Sequence, residues 1–256
     1  ASGSSDSSVL ASMNKGSDTA KVETKITGGS ELHAAQNLYV KARATNNVTG
    51  GVYQGTVAVV NVGVIANHID VQEQQLVNVV GSTLLGDKVN ISSDVLGSVN
   101  SSMGMGALGA IGYTDVVSEI NHGGSNTITV TASTINATAQ NSDEKSLQVT
   151  ASNTMAIDNQ GVATGGEAVK LGRTVIKGND AVNVNVNLGY SEVQNSGNSF
   201  SANSIAVNAI NNPNVKNYIT AVELGFVTGH GTIVESSFGG SVGVSVTDSN
   251  SFTTQD

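Results

Sequence analysis

The stretch VNVNVNL at 182–188 alternates valine and asparagine without a break, and this alternation most constrains what the chain can fold into. A period of two places successive side chains on opposite faces of a strand. Asparagine is depleted from strands, so a strand carrying it at every second position must bury the valine face. The asparagine face then points outward or lines a ladder in which stacked amides hydrogen-bond. The same period runs through LYVKARA (38–44), TVAVVNVGVIA (56–66), LQVTAS (147–152), SIAVNAI (204–210) and SVGVSV (241–246). TITVTAS (127–133) sets Thr127, Thr129 and Thr131 on one outward face. Between the runs stand NNVTGG, NHGGSN, NQGVATGG, NSGNS and FGGS, where Gly and Asn can take positive φ.

Composition points the same way. Charged residues make up 12% of the 256, against roughly a quarter in an ordinary soluble domain. Aromatics are 4%, with one Pro, no Trp and no Cys. The net charge of −9 excludes the clustered Lys and Arg that nucleic acid requires. The absence of Cys excludes a disulfide framework and thiolate metal sites. No run approaches the ~18 apolar residues of a membrane helix, so no membrane span is expected. The ends, ASGSSDSSVLAS and SFTTQD, read as cut from a longer chain.

Internal repeats narrow the architecture. ITVTASTINA (128–137) and LQVTASNTMA (147–156) align at a spacing of 19. Longer echoes lead to Ile69, Ile120 and Ile219, at spacings of 51 and 99, and SGNSFSAN (196–203) returns as DSNSFTTQ (248–255) after 52. A rung of about 20 residues stacked on the next describes a parallel β-helix, an all-β β-solenoid. About thirteen rungs at ~4.8 Å would form a rod of roughly 60 Å. An antiparallel sandwich would also alternate, but it does not predict the 19-residue spacing. Two segments, 31–44 and 68–85, carry helical propensity, the first with a stripe of Leu32, Ala35, Leu38 and Ala42. A short decorating helix is therefore expected near 70–78.

At this point the residues resemble a family. ETKITGGSELHAAQNLYVKARATNN is similar to the β-helical repeats of large filamentous adhesins exported by two-partner secretion. SIAVNAINNPNVKNYIT and GALGAIGYTDVVSEI…TITVTAST resemble the leukotoxin-type filamentous adhesins. The resemblance covers nearly the whole chain and rests on degenerate, compositional motifs. It implies a right-handed parallel β-helix, with 1–256 as a single solenoid segment of a much larger secreted or cell-surface protein. The implied partners are an outer-membrane transporter during export and a host-cell receptor or glycan. It brings no catalytic residue, cofactor or metal. The family's Asn-Pro-Asn secretion motif is matched by Asn212-Pro213-Asn214, but Val215 follows. A turn between two strands fits that triplet better.

Other chemistry finds little support. His33, His68, His122 and His230 are scattered, whereas zinc needs three or four convergent ligands, so they read as surface histidines. Asp158, Asp180 and Asp248 read as turn residues rather than calcium ligands, and Asp143-Glu144-Lys145 as a solvated loop. GMGALG (104–109) formally matches a dinucleotide fingerprint but lies in a Gly/Ala-rich strand region without the βαβ context. No carboxylate cluster of a carbohydrate-active enzyme is visible. Tyr53, Tyr113 and Tyr190, each in a small polar setting, are the candidate contact residues. The leading function is an adhesin segment, as stalk or binding surface. The alternatives are part of a leukocyte-directed cytotoxin and a carbohydrate-active enzyme on a β-helix. A trimeric autotransporter head would need a 14-residue repeat, which is not found.

Overall fold

The computed structural model describes residues 6–13, 20–139, 146–189, 191–192, 195–247 and 249–253. Asp143, Glu144, Lys145, Tyr190 and Asp248 lie outside them. All the regular elements among the described residues are strands, and the named strands pair in parallel. The described residues climb through five levels. The first holds β1 (Asp6–Met13), β2 (Ala20–Thr27) and β3 (Glu31–His33), and the second β4 (Asn37–Val57), β5 (Val60–Val80) and β6 (Thr83–Gly86). The third holds β7 (Lys88–Thr131) and β8 (Thr134–Ala137), and the fourth β9 (Leu147–Gly189) and β10 (Ser199–Ala202). The fifth holds β11 (Ile205–Asn211), β12 (Asn214–Leu224), β13 (Val227–Phe238), β14 (Val242–Val246) and β15 (Ser251–Thr253).

Each level is one long turn of a strongly curled chain. In the second level β4 runs out, reverses at Ala58 and Val59, and returns as β5. In the third and fourth levels the reversal happens inside β7 and β9, where the ladder skips Ala110 and Ala168. The two arms face each other through their side chains, as Asn67 on β5 and Ser101 on β7 show by their 2.7 Å hydrogen bond. At the base a smaller five-stranded sheet, β3-β6-β8-β10-β15, closes the opening. Three walls meet there around the largest apolar cluster. Ile91, Ile128 and Ile135 come from the three walls of one level, and Val149, Val186 and Phe200 from those of the next. Further out, Ile69, Val99, Ile120 and Ile157 form a second cluster. Val52, Ile65, Met103 and Val116 form a third near the reversal.

The opening alternation is explained by this arrangement. Val182, Val184 and Val186 are fully buried, and the asparagines face outward. Asn183 Oδ1 accepts hydrogen bonds from the Ser241 N–H and Oγ one level above. Thr127, Thr129 and Thr131 also lie on the outer side. The turn expected at Asn212-Pro213-Asn214 is not one: Asn212 and Pro213 interrupt the strand, but the register runs on from Asn211↔Asn153 to Asn214↔Ala156, so β11 and β12 continue along one arm.

The 20-residue rung is overturned. Levels repeat at 51 residues between the second and third, as in Ile69↔Ile120, and at 58 between the third and fourth, as in Val89↔Leu147. The 52-residue echo is a true register, Phe200↔Phe252, with the rings stacked 5.0 Å apart. The 19-residue echo is not one. Val130 pairs with Leu188 and Val149 with Ile91, and both valines line the basal cluster from different walls. Five levels at ~4.8 Å span roughly 20–25 Å along the stack, not 60 Å. Ile219 also leaves its echo, since it pairs with Gly161.

The expected helix is overturned as well, because 68–80 belongs to β5 and 31–44 to β3, a turn and β4. Glu73 and Gln75 are both buried on the inward face. Period two is kept, but polar residues occupy inward positions. Truncating a fully buried wall residue, Ile128→Ala, should cost about 2–5 kcal/mol. The outward Thr129→Ala should cost below ~1 kcal/mol, and urea denaturation of the two variants measures the contrast.

Candidate functional site

Parallel register turns every sequence position into a column, so an outward apolar residue repeated across levels becomes an apolar stripe. This happens where the arms reverse. On the outer face of the returning arm, Val60, Ile111, Val169 and Val227 stack as one column. Val62, Tyr113 and Leu171 form the next. These seven side chains are between 37% and 57% exposed. An adjacent column ends the stripe with charge, as Arg173 Nε and an Nη donate to both Asp115 oxygens at 3.1 and 2.8 Å.

The opposite face of the tip is also apolar. Val57, Leu108 and Leu224 stand out from a floor made partly by Gly55, Gly106 and Gly166, enclosing a shallow groove of about 470 Å³. Val59 and Phe226 cap the reversal itself, Phe226 being 96% exposed. Exposed apolar surface of this extent marks an interaction site more often than a solvated wall.

The structure separates the expected contact tyrosines. Tyr113 sits in the apolar stripe. Tyr53 lies on the outer face of the other arm, is 71% exposed, and donates its hydroxyl to Ser102 Oγ. Tyr190 lies outside the described residues. Sequence reasoning missed Val60, Ile111, Val169 and Leu171, although their spacings of 51 and 58 are those of the levels. The signal was available only once the 51- and 52-residue echoes outranked the 19-residue one.

Two of the four histidines are not at the surface. His33 is exposed, and His68 is half-exposed beside Asp70 at 2.7 Å. His122 is fully enclosed, with Nδ1 2.6 Å from Asp180 Oδ2 and Nε2 2.6 Å from Glu73 Oε1. Its three members come from three levels, and all are buried. Asn46 donates to Glu73 at 2.8 Å, and Asn153 donates to Asp180. Asp180 is therefore an ion-pair partner inside β9, not a turn residue. Asp158, also assigned to a turn, lies in β9 as well. Gly124 allows the close approach of the neighbouring level: its φ is 132°, and a Cβ there would run into the Glu73 carbonyl. A neutral polar layer lies further out, where Asn67 donates to Ser101 and Ser118 bonds both Ser101 and Asn159 at 2.7 Å. His230 is mostly enclosed and pairs with Glu223 at 2.7 Å.

Among the described residues no group of three His, Asp or Glu is arranged to hold a metal ion. Glu73, His122 and Asp180 already satisfy one another. Burial pushes the His122 imidazolium down, but the hydrogen bonds to Asp180 and Glu73 outweigh it, raising its pKa from 6.5 to about 9. The folded value lies above the unfolded one. The stabilisation is therefore complete below 6.5 and is lost as pH rises through about 9. The shift corresponds to an effect on the order of 3 kcal/mol. Thermal melting across that window should show a falling Tm, and His122→Gln should flatten the fall while lowering stability at neutral pH.

Compared with protein families, with curated proteins and with solved structures, the chain has no match.

Proposed function

We propose that this chain is a β-solenoid segment of a secreted bacterial filamentous adhesin. In this reading it is a right-handed parallel β-helix that forms part of a longer filament and contacts a host-cell surface. Export through an outer-membrane transporter belongs to the same reading. The observation that carries it is the exposed double column of Val60, Ile111, Val169 and Val227 beside Val62, Tyr113 and Leu171. Stacked levels hold these side chains at fixed spacing on a rigid wall, so many weak contacts add without an ordering cost at each. The aliphatic character favours a protein receptor over a glycan, since protein interfaces centre on buried apolar anchors. In this reading the chain acts by contact rather than catalysis, and the outer wall offers the contact area.

Flow cytometry of the labelled chain on epithelial cells and on leukocytes, with unlabelled competitor, tests the reading. Saturable, competed binding is expected. The double variant Ile111→Ser, Leu171→Ser should weaken it about tenfold or more, with the fold preserved because both residues face outward. Absence of binding to both cell types contradicts the attachment role. Membrane damage after binding would instead favour the cytotoxin alternative.

A further inference from the structure

The arch tip encloses a charged cluster that the attachment reading does not use. Lys170 points inward from the returning arm of the fourth level. Its side chain is fully buried, and Nζ makes no hydrogen bond. Nζ stands 3.8 Å from Glu167 Oε2 and 3.7 Å from Glu223 Oε1. Surface lysines of this chain approach their partners much closer, Lys177–Glu235 at 2.7 Å and Lys21–Glu23 at 2.8 Å. Glu167 is equally buried, and neither of its carboxyl oxygens has a hydrogen-bond partner. Glu223 is held in place: the His230 Nδ1–H donates to its Oε1 at 2.7 Å, and His230 Nε2 is hydrogen-bonded to the Thr174 hydroxyl at 2.8 Å.

The pocket is built for these groups. A Cβ on Gly165 would run into Lys170 Nζ and Glu167 Oε2, one on Gly112 into the Glu167 carboxyl, and one on Gly172 into the His230 ring. Three glycines on two levels thus clear the space in which an amine meets two carboxyl groups. As an ion pair the arrangement is poor, because buried charges need close contact and further hydrogen bonds to offset desolvation. As a reactive constellation it is well formed: a desolvated amine, a carboxyl beside it, and a second carboxylate positioned to carry protons.

We propose that Lys170 and Glu167 condense into an intramolecular amide that closes the arch tip covalently. Burial pushes the Glu167 carboxyl up toward its neutral form, opposed by the Lys170 charge and aided by Glu223. The neutral acid is the better electrophile. The Lys170 ammonium gives one proton to Glu223, and the freed Nζ lone pair attacks Glu167 Cδ. A second Nζ proton passes through Glu223 to the Glu167 hydroxyl as the Cδ–O bond breaks. One amide forms and one water leaves. Glu223 ends protonated, holding the proton first taken from the Lys170 ammonium, so charge is balanced within the cluster. Nothing is oxidised or reduced, and no co-reactant is required. The link ties the reversal to the returning arm, at the point of each level furthest from the basal core.

Mass spectrometry of the whole, denatured chain tests this independently of any binding. The wild-type chain should weigh one water less than its sequence. Trypsin should fail to cut after Lys170, giving a 146–173 peptide that is one water short, with the loss confined to 167–170. Lys170→Ala and Glu167→Ala should restore the full sequence mass, and Glu223→Gln should slow the loss at least tenfold. A wild-type chain at full sequence mass that is cleaved normally at Lys170 overturns the proposal. A link from Lys170 to Glu223 overturns the assignment of Glu167.

Discussion

Parallel pairing between successive levels is the constraint on which the rest of this structure depends. Each level donates and accepts backbone hydrogen bonds along the stack, so the curled walls need no second layer to satisfy their polar groups. The consequence is positional. A residue at one level lies directly over its counterparts in the others, so columns, not single residues, are matched or mismatched. Asp70, Asn121, Asn179 and Ser237 form one such column. Asn121 donates to Asp70 at 3.1 Å, Asn179 to Asn121 at 2.6 Å and Ser237 to Asn179 at 2.6 Å. Asparagine suits such a column because one amide both donates and accepts.

The same rule organises the interior. Moving outward from the base, an apolar cluster gives way to the Glu73–His122–Asp180 layer. The second apolar cluster follows, then the Asn67–Ser101–Ser118–Asn159 layer, the third cluster and finally Lys170 at the tip. A uniformly apolar interior between two long arms would allow one arm to slide along the other by two residues at little cost. The polar layers allow one alignment, because a slip would bury unpaired groups at a cost of about 1–3 kcal/mol each. Specific alignment, rather than added stability, is what buried polar layers supply best.

Much of the fold was legible in the sequence. The valine–asparagine alternation gave the buried and exposed faces of the 182–188 strand, and the 52-residue echo of the serine–phenylalanine motif was a true register. The length of a level was misread because two walls that face one core share a composition, so Val130 and Val149 look like repeats without stacking. The helix expected near 70–78 failed for a related reason. Glu73 and Gln75 point inward, and polarity alone assigns them to solvent. His122 and Asp180 were unreadable as a pair, since their partners lie 49 and 58 residues apart, on other levels. Tyr113 was reached from its local setting, but the stripe around it depends on register and emerges only from the stack.

The long register is tested most directly by disulfide trapping, which the cysteine-free chain makes clean. Stacked neighbours lie at ~4.8 Å, within the Cα range a disulfide accepts. Asn121→Cys with Asn179→Cys places two thiols on adjacent levels in one column. Thr131→Cys with Thr150→Cys places them 19 residues apart, on different walls. Under mild oxidation the first pair should close and the second should stay reduced. Closure of the second pair with the first remaining open would contradict the 51- and 58-residue levels and restore a short rung.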